Sequence, residues 1–94
     1  MLNQVEPVEF SIVLPTFNRA KTIKRAIDSI MDQSLSDWEL IIIDNFSSDN
    51  TADIIMSYSD PRIKFHLFSN HGVIASSRNM GIEQSRGKFI AFLD

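Results

Sequence analysis

The chain has 94 residues and a formal net charge of −3, which allow one small domain and exclude the basic field that nucleic acids or anionic membranes require. It contains no Cys, and this excludes a disulfide framework, thiolate chemistry and Cys-ligated zinc. No apolar run approaches the length of a membrane-spanning helix. We therefore expect no nucleic-acid partner and no membrane segment in this chain.

Residues 1–9 are predicted to form a short N-terminal tail. They carry Glu6, Pro7 and Glu9 without a hydrophobic segment, which is not the pattern of a signal peptide. Residues 10–94 are expected to form the single folded unit. Since the lack of Cys fits a reducing compartment, we expect a cytoplasmic location.

The first predicted strand is an apolar run that starts at Phe10. It is expected to end at Pro15, because a proline has no N–H group with which a central strand could continue its ladder. The polar and aromatic loop of residues 16–19 follows. Apolar residues then recur at helical spacing and predict an amphipathic helix from Ile23 to about Gln33.

The second predicted strand, residues 38–43, ends in a continuous apolar run, which indicates burial on both faces, as in a parallel sheet. A turn-rich segment follows from Asp44 to Asp49, and Ser48 or Asp49 is the expected N-cap of a short second helix. Asp60-Pro61 ends that helix.

Apolar and polar residues alternate from Ile63 to Phe68, which predicts a strand at the edge of the sheet. A third helix is expected over residues 73–85, with Gly87 as its C-cap. The last predicted strand, residues 88–93, is apolar enough to be a core strand.

Strands that alternate with helices predict a parallel sheet with right-handed crossovers. We expect an α/β fold of three layers, in which a four-stranded sheet of order 3-2-1-4 has helices on both faces. The carboxyl ends of parallel strands share one edge, where ligands bind. Polar residues gather at those four strand ends: Thr16-Phe17-Asn18, Asp44-Asn45, Asn70-His71 and Asp94.

Several nucleotide-binding classes are disfavoured by the loop sequences. The chain has neither G-x-x-x-x-G-K-[ST] nor G-x-G-x-x-G, which disfavours a P-loop NTPase and a dinucleotide-binding domain. A response-regulator receiver would need an acidic cluster after the first strand and a fifth strand. Taken alone, the Asp44-Asn45 pair is best interpreted as an Asx turn at the end of a strand. Arg78, taken alone, is best interpreted as a surface arginine.

Five motifs in order change this balance, although each alone is weak. From residue 10 to 94 the chain resembles the nucleotide-binding half of family-2 glycosyltransferases, enzymes of the GT-A fold. The resemblance rests on Pro15-Thr16-Phe17-Asn18-Arg19, Asp44-Asn45-x-Ser47-x-Asp49-x-Thr51, Asn70-x-Gly72, Ser77-Arg78-Asn79-x-Gly81 and Gly87-x-Phe89-Ile90-Ala91-Phe92-Leu93-Asp94.

The resemblance implies a role for each matching residue. The first loop would hold the nucleotide, with Phe17 as a stacking face for the base. The pair after the second strand would contact the base edge, although Asn45 replaces a frequent second Asp and so weakens the assignment of uracil. Arg78 would reach the nucleotide-sugar crevice. The expected substrate-binding residues are Pro15, Thr16, Phe17, Asn18, Arg19, Asp44, Asn45, Arg78 and Asp94.

Asp94 matches the first acid of a D-x-D element, which in the family contacts the ribose and a divalent metal, Mn²⁺ or Mg²⁺. The later acid, the acceptor site and the general base would lie beyond residue 94. We therefore expect a donor-binding fragment of an inverting glycosyltransferase that takes a nucleoside-diphosphate sugar, with a UDP-sugar favoured. Many members of the family carry membrane anchors outside the segment that this chain resembles. The resemblance therefore also allows a whole protein that is associated with a membrane.

Two other functions are alternatives to this one. The chain could be a non-catalytic nucleotide-binding or protein-interaction module that is complete at 94 residues. A sugar-nucleotide pyrophosphorylase is disfavoured, because it needs a Gly-rich basic loop after the first strand. The apolar strand of residues 88–94 has only Lys88 as a gatekeeper, so we also expect the chain to self-associate through that edge.

Overall fold

Strands alternate with helices throughout the part of the chain that this computed structural model describes, residues 8–93. The strands are β1 (Phe10–Thr16), β2 (Trp38–Asp44), β3 (Ile63–Leu67) and β4 (Phe89–Phe92). The helices are α1 (Ile23–Met31), α2 (Thr51–Met56) and α3 (Ile74–Gln84). None of these three helices is long and apolar enough to span a bilayer.

The four strands form one parallel sheet in the order β3-β2-β1-β4, as predicted. Its register aligns Thr16, Asp44 and Leu67 across β1, β2 and β3. The ends of three strands therefore lie level at one edge, and the loops that follow them are neighbours. The predicted edge position of β3 is also confirmed.

Helices cover both faces of the sheet, which confirms the predicted three layers. Alternate residues of a strand point to opposite faces. On one face, Leu14, Leu40 and Ile42 form a core with residues of α1 and α2. On the other face α3 lies against Val13, and a Cβ on Gly81 would stand only 2.3 Å from Val13 Cγ1. A helix can approach the sheet this closely only because Gly81 has no side chain.

We predict from the sequence that strand β1 ends at Pro15. In the structure, β1 instead continues through Pro15 to Thr16. The Thr16 carbonyl accepts a hydrogen bond from Asn45 on the β2 side, whereas the Val13 carbonyl accepts one from Leu93 on the β4 side. Since groups two residues apart share a side, the Pro15 nitrogen faces β4. The described ladder to β4 ends at the Val13–Phe92 pair, so no bond needs that nitrogen.

Both predicted helix caps were wrong. Helix α2 has Asn50 at its N-cap rather than Ser48 or Asp49. Helix α3 ends at Gln84, and its C-cap is Ser85, whose backbone is extended (φ −75°, ψ 139°), so no left-handed glycine terminates it. Gly87 instead lies against β1, where an added Cβ would be 2.6 Å from the Ser11 backbone nitrogen.

Strand β4 lies where the sequence places it, but it is not the buried strand that its composition predicts. Phe89 and Phe92 are 54% and 47% exposed. Within residues 8–93, β4 pairs only with β1. Its apolar side chains are exposed because no described element covers them.

The single tyrosine offers a test of how α2 packs on α1. The Tyr58 hydroxyl donates a 2.6 Å hydrogen bond to Asp28 Oδ1, and Lys24 donates to the other oxygen of Asp28. Burial, followed by this bond to Asp28, raises the pKa of Tyr58 to about 12. We expect phenolate absorbance to titrate near that value, and Asp28→Asn to lower the midpoint.

Because folding raises the pKa of Tyr58, the protonated hydroxyl stabilises the folded state, and this stabilisation depends on pH. The contribution of Tyr58 is complete below the ordinary pKa of 10.0 and is lost as pH rises towards 12. A titration midpoint at 10 in the folded protein would contradict this packing.

Candidate functional site

A cleft of about 260 Å³ opens at the carboxyl edge of the sheet. One wall comes from the end of β1 and its loop, and the other from the residues before and within α3. Its lining residues are Pro15, Thr16, Phe17, Arg19, Asn70, Ile74 and Arg78. The structure therefore brings together five of the residues that the sequence predicted for the site. Asn18, Asp44 and Asn45 lie outside this lining, and Asp94 lies outside the described residues.

Phe17 presents an aromatic surface at the mouth of the cleft, with its side chain 47% exposed. The next cleft residue, Arg19, donates from its guanidinium to the Phe17 carbonyl at 3.1 Å. This contact ties the arginine to the loop that carries the aromatic ring. A large exposed apolar ring beside a cation is suited to a planar ligand with a negatively charged substituent.

Thr16 contributes a buried hydroxyl that has no hydrogen-bond partner among residues 8–93. A buried polar atom without a partner is costly, and such atoms in native proteins call for an explanation. Thr16 lines this cleft and also a neighbouring cleft of about 330 Å³ against α1. Its hydroxyl is thus a polar group at the site that is not used within the described chain.

Asn18 joins two loops rather than lining the cleft. Its backbone has φ +51°, a left-handed conformation that Asn tolerates better than most residues. Its Oδ1 accepts hydrogen bonds from the backbone nitrogens of Ser48 (2.7 Å) and Asp49 (3.3 Å), and its own N–H donates to Ser47 Oγ. Asn18 therefore holds the loop after β1 against the loop after β2.

Asp49 and Thr51 extend this connection and were not among the predicted site residues. The Arg19 backbone N–H donates to Thr51 Oγ1, and the Ala20 N–H donates to Asp49 Oδ2. The Thr51 hydroxyl bonds to Asp49 and lowers the pKa of that carboxyl, which keeps it an acceptor. The available sequence signal was the D-N-x-S-x-D-x-T spacing, which places several short polar side chains in one turn.

Asp44 is fully buried, with 0% of its surface exposed. Its two carboxylate oxygens accept hydrogen bonds from the backbone N–H of Ser47 (3.0 Å) and from the Ser47 hydroxyl (2.5 Å). This is the Asx-type turn that the pair suggests when taken alone. A direct contact between Asp44 and a nucleotide base stays a prediction.

Asn45 connects the end of β2 to the loop before α3. Its Oδ1 accepts a 3.0 Å hydrogen bond from the Asn70 backbone N–H, which identifies the oxygen and leaves the amide NH₂ as the remaining polar group. Asn70, another residue that sequence reasoning did not assign to the site, is buried and donates from Nδ2 to Ser77 Oγ. Its sequence signals were its position after the third predicted strand and the Asn70-x-Gly72 motif.

Arg78 follows the buried Ser77 on α3 and lines the cleft opposite Phe17. Because Ser77 is held by Asn70, the start of α3 and its arginine are fixed relative to the strand ends. Residues 8–93 include no group of three or more His, Cys, Asp or Glu side chains that could hold a metal. The predicted metal ligand, Asp94, lies outside the described residues.

The sequence and the fold of this chain match those of proteins of known class. The family model "Glycosyl transferase family 2" matches residues 11–94. A UDP-Glc:alpha-D-GlcNAc-diphosphoundecaprenol beta-1,3-glucosyltransferase, WfgD of Escherichia coli, is 39% identical over 84 residues, which are 89% of this chain and 33% of that protein. TarP of Staphylococcus aureus, a poly(ribitol-phosphate) beta-N-acetylglucosaminyltransferase, is 37% identical over 89% of this chain and 27% of its own length.

The structure of residues 1–349 of S. aureus TarS in complex with UDP superposes with a TM-score of 0.87 at 28% identity, over 93% of this chain and 27% of that one. This match confirms the predicted GT-A arrangement. The chain spans about a third or less of the relatives it matches. Since the family model covers nearly all of it, the chain belongs to glycosyl transferase family 2.

Proposed function

We propose that this chain is the donor-binding part of a glycosyltransferase that transfers a sugar from a nucleoside diphosphate to an acceptor hydroxyl with inversion. The observation that carries the proposal is the cleft that combines an exposed aromatic ring, an unpartnered buried hydroxyl and Arg78. Membership of the family favours this function over a non-catalytic interaction module. The general base and the acceptor site would come from other parts of the whole protein.

Each lining residue has a role that its chemistry supports. Phe17 stacks on the base, because any base offers a π-face to an exposed ring. The Thr16 hydroxyl bonds to the nucleoside and thereby gains the partner that it lacks. Arg78, and Arg19 beside Phe17, face the diphosphate, since a guanidinium binds phosphate oxygens in a planar, two-pronged geometry. Pro15 lines the cleft beside Thr16.

The three residues outside the lining act differently in this proposal. Asp44 and Asn18 shape the loops through their bonds to residues 47–49. Asn45 contacts the base edge with its amide NH₂, which favours a base that presents a carbonyl oxygen. Uracil satisfies that requirement. UDP-glucose in the name of WfgD, and TarS structures with UDP and UDP-GlcNAc, support a UDP-sugar donor.

We further propose a divalent metal, Mn²⁺ or Mg²⁺, held in part by Asp94. The described residues do not by themselves form such a site, so the proposal depends on Asp94 and on ligands from elsewhere. The residues described here bind and orient the donor without it.

The whole protein is proposed to act in the synthesis of a polysaccharide or glycoconjugate. Two relatives at 37–39% identity have undecaprenol-linked saccharides in their names. This supports an enzyme that works on a membrane-linked acceptor, and the cytoplasmic location expected from the sequence is retained as part of the proposal.

Titrations of UDP, GDP, dTDP and uridine test the proposed site. We expect UDP to bind most tightly. Phe17→Ala should weaken uridine and UDP binding equally, whereas Arg78→Ala should weaken UDP binding at least about tenfold and uridine binding little, because a charge-assisted hydrogen bond to phosphate is lost.

Arg25→Ala provides the matched control, since Arg25 is an exposed arginine on α1 outside this cleft. It should leave both affinities unchanged. Equal loss of uridine and UDP binding in Arg78→Ala would contradict the role of Arg78.

The predicted self-association through residues 88–94 is also retained as a proposal. The Leu93 N–H bonds to the Val13 carbonyl of β1, and the Phe89 N–H bonds to the Glu9 carbonyl just before β1. The alternate residues Ile90 and Phe92 therefore direct their backbone groups to the outer edge. Both side chains are exposed. We expect light scattering to detect a dimer and Ile90→Lys to dissociate it, because a charge on an open edge opposes strand pairing. A monomer at high concentration would refute the proposal.

A further inference from the structure

Glu39 is a buried carboxylate that the donor cleft does not use. Glu39 is the second residue of β2, and its side chain is only 3% exposed. That position is five residues before Asp44, roughly 16 Å along the strand from the edge that carries the cleft. A charged group is rarely buried so completely unless it is paired and hydrogen-bonded, so its contacts indicate what it does.

One oxygen of Glu39 holds the turn that precedes β4. Glu39 Oε2 accepts hydrogen bonds from the Ser11 hydroxyl at 2.6 Å and from the Arg86 backbone N–H at 2.7 Å. The Ser11 oxygen in turn accepts from the Gly87 backbone N–H at 2.8 Å. Two consecutive N–H groups of the α3–β4 turn are thus bound to the sheet, one directly and one through Ser11.

The second oxygen faces two cations at longer range. Glu39 Oε1 is 3.6 Å from Arg86 Nε and 3.9 Å from Lys64 Nζ, and both cationic side chains are about two-fifths exposed. Solvent screens such pairs, so they contribute little. The short bonds to Ser11 and Arg86 are the specific part of the arrangement.

Strand β4 needs such an anchor, because it has four residues, is exposed and pairs only with β1 in the described chain. A slip of one residue would move it by ~3.3 Å and turn each side chain to the other face. The bond from the Leu93 N–H to the Val13 carbonyl marks the far end of its register. Leu93 leads directly into Asp94, which is proposed to meet the donor.

We propose that Glu39 is a positioning residue of the donor site, which sets the register of β4 through Ser11 and the 86–87 turn. Its effect on nucleotide binding rests on the function proposed above, whereas its effect on β4 does not. The two are therefore measured separately, by hydrogen exchange and by ligand titration.

Amide hydrogen exchange of the wild-type chain, Glu39→Ala and Ser11→Ala tests the effect on β4. We expect the amides of Arg86, Gly87 and Leu93 to exchange at least about tenfold faster in both variants, because each variant breaks the Ser11–Glu39 network that holds the 86–87 turn and, with it, the register of β4. The Phe68 amide, which bonds to the Asp44 carbonyl, should change less than about twofold. Ser11→Ala carries this test if Glu39→Ala does not fold.

Two further variants separate positioning from general stability. Glu39→Gln retains an oxygen that can accept both hydrogen bonds, and it should restore most of the protection. Asp60→Asn removes a carboxylate that pairs with Arg62 before β3, at the same end of the sheet but away from β4. It should leave the β4 amides protected.

UDP titration provides the functional measurement. Glu39→Ala should weaken UDP binding several-fold, Glu39→Gln should recover it, and Asp60→Asn should leave it unchanged even where it lowers the melting temperature. Absence of UDP binding in the wild-type chain would refute the proposed function, and hydrogen exchange would still decide the role of Glu39 in β4. Unchanged exchange at Arg86, Gly87 and Leu93 in the folded variants, or the same loss in Asp60→Asn, would overturn the proposal.

Discussion

Gly87→Ala is expected to lower the free energy of unfolding by roughly 3 kcal/mol, at the upper end of the cost of overpacking. An added Cβ would stand 2.6 Å from both the nitrogen and the hydroxyl oxygen of Ser11, and 2.9 Å from the Phe10 carbonyl carbon. Two of these three atoms belong to the backbone of the central strand, so they cannot move aside as a flexible side chain could. In a chain of this size the loss corresponds to a fall of more than about 10 °C in the melting temperature.

Gly72→Ala is the matched control. A side chain at Gly72 is disfavoured by the backbone conformation, whereas a side chain at Gly87 is disfavoured by the lack of space. It has φ +83°, and nothing lies within 4 Å of an added Cβ. The only cost is therefore conformational, roughly 1–2 kcal/mol. Thermal unfolding of the two variants should rank Gly87→Ala as clearly more damaging. Equal melting temperatures would contradict this prediction, because they would mean that the β1 backbone beside Gly87 can shift to make room for the added Cβ.

Asp44→Ala is expected to reduce UDP affinity at least about tenfold and to destabilise the fold by roughly 2–3 kcal/mol. The substitution leaves the Ser47 N–H and hydroxyl without their acceptor. Ser47 also accepts a hydrogen bond from the Asn18 N–H, so the loop after β1 loses support at the same time. Isothermal titration with UDP and thermal unfolding measure the two effects.

Ser47→Ala identifies the route by which Asp44 acts. It removes the hydroxyl that donates to Asp44 and accepts from the Asn18 N–H, and it leaves the Ser47 backbone N–H and the carboxylate in place. If Asp44 acts by shaping the loop, the two variants should lose UDP affinity to within about threefold of each other, as members of one network do. A far greater loss in Asp44→Ala would instead indicate a direct contact with the nucleotide.

The sequence alone determined the order of the elements, the order of the strands and the family. Hydrophobic periodicity is local, so the apolar spacing in α1 and the continuous run in β2 indicate a helix and a buried strand without knowledge of their neighbours. The parallel topology then follows from the alternation of elements. The same logic brought Thr16 and Phe17 to one edge of the sheet, and the family resemblance added Arg78; the structure places all three in one cleft.

The tertiary structure decided which polar residues remain available for a ligand and which are used to hold loops. Asp44, Asn18 and Asn45 look equivalent to Thr16 in the sequence, yet the first three have hydrogen-bond partners and Thr16 has none in the described chain. The partner of Asp44 lies in the turn that follows it, but the partners of Asn18 and Asn45 lie in segments distant in the chain, as for Glu39 and Arg86, which are 47 residues apart. The exposure of β4 and the continuation of β1 through Pro15 likewise depend on which neighbour lies beside each strand, and no local pattern records that.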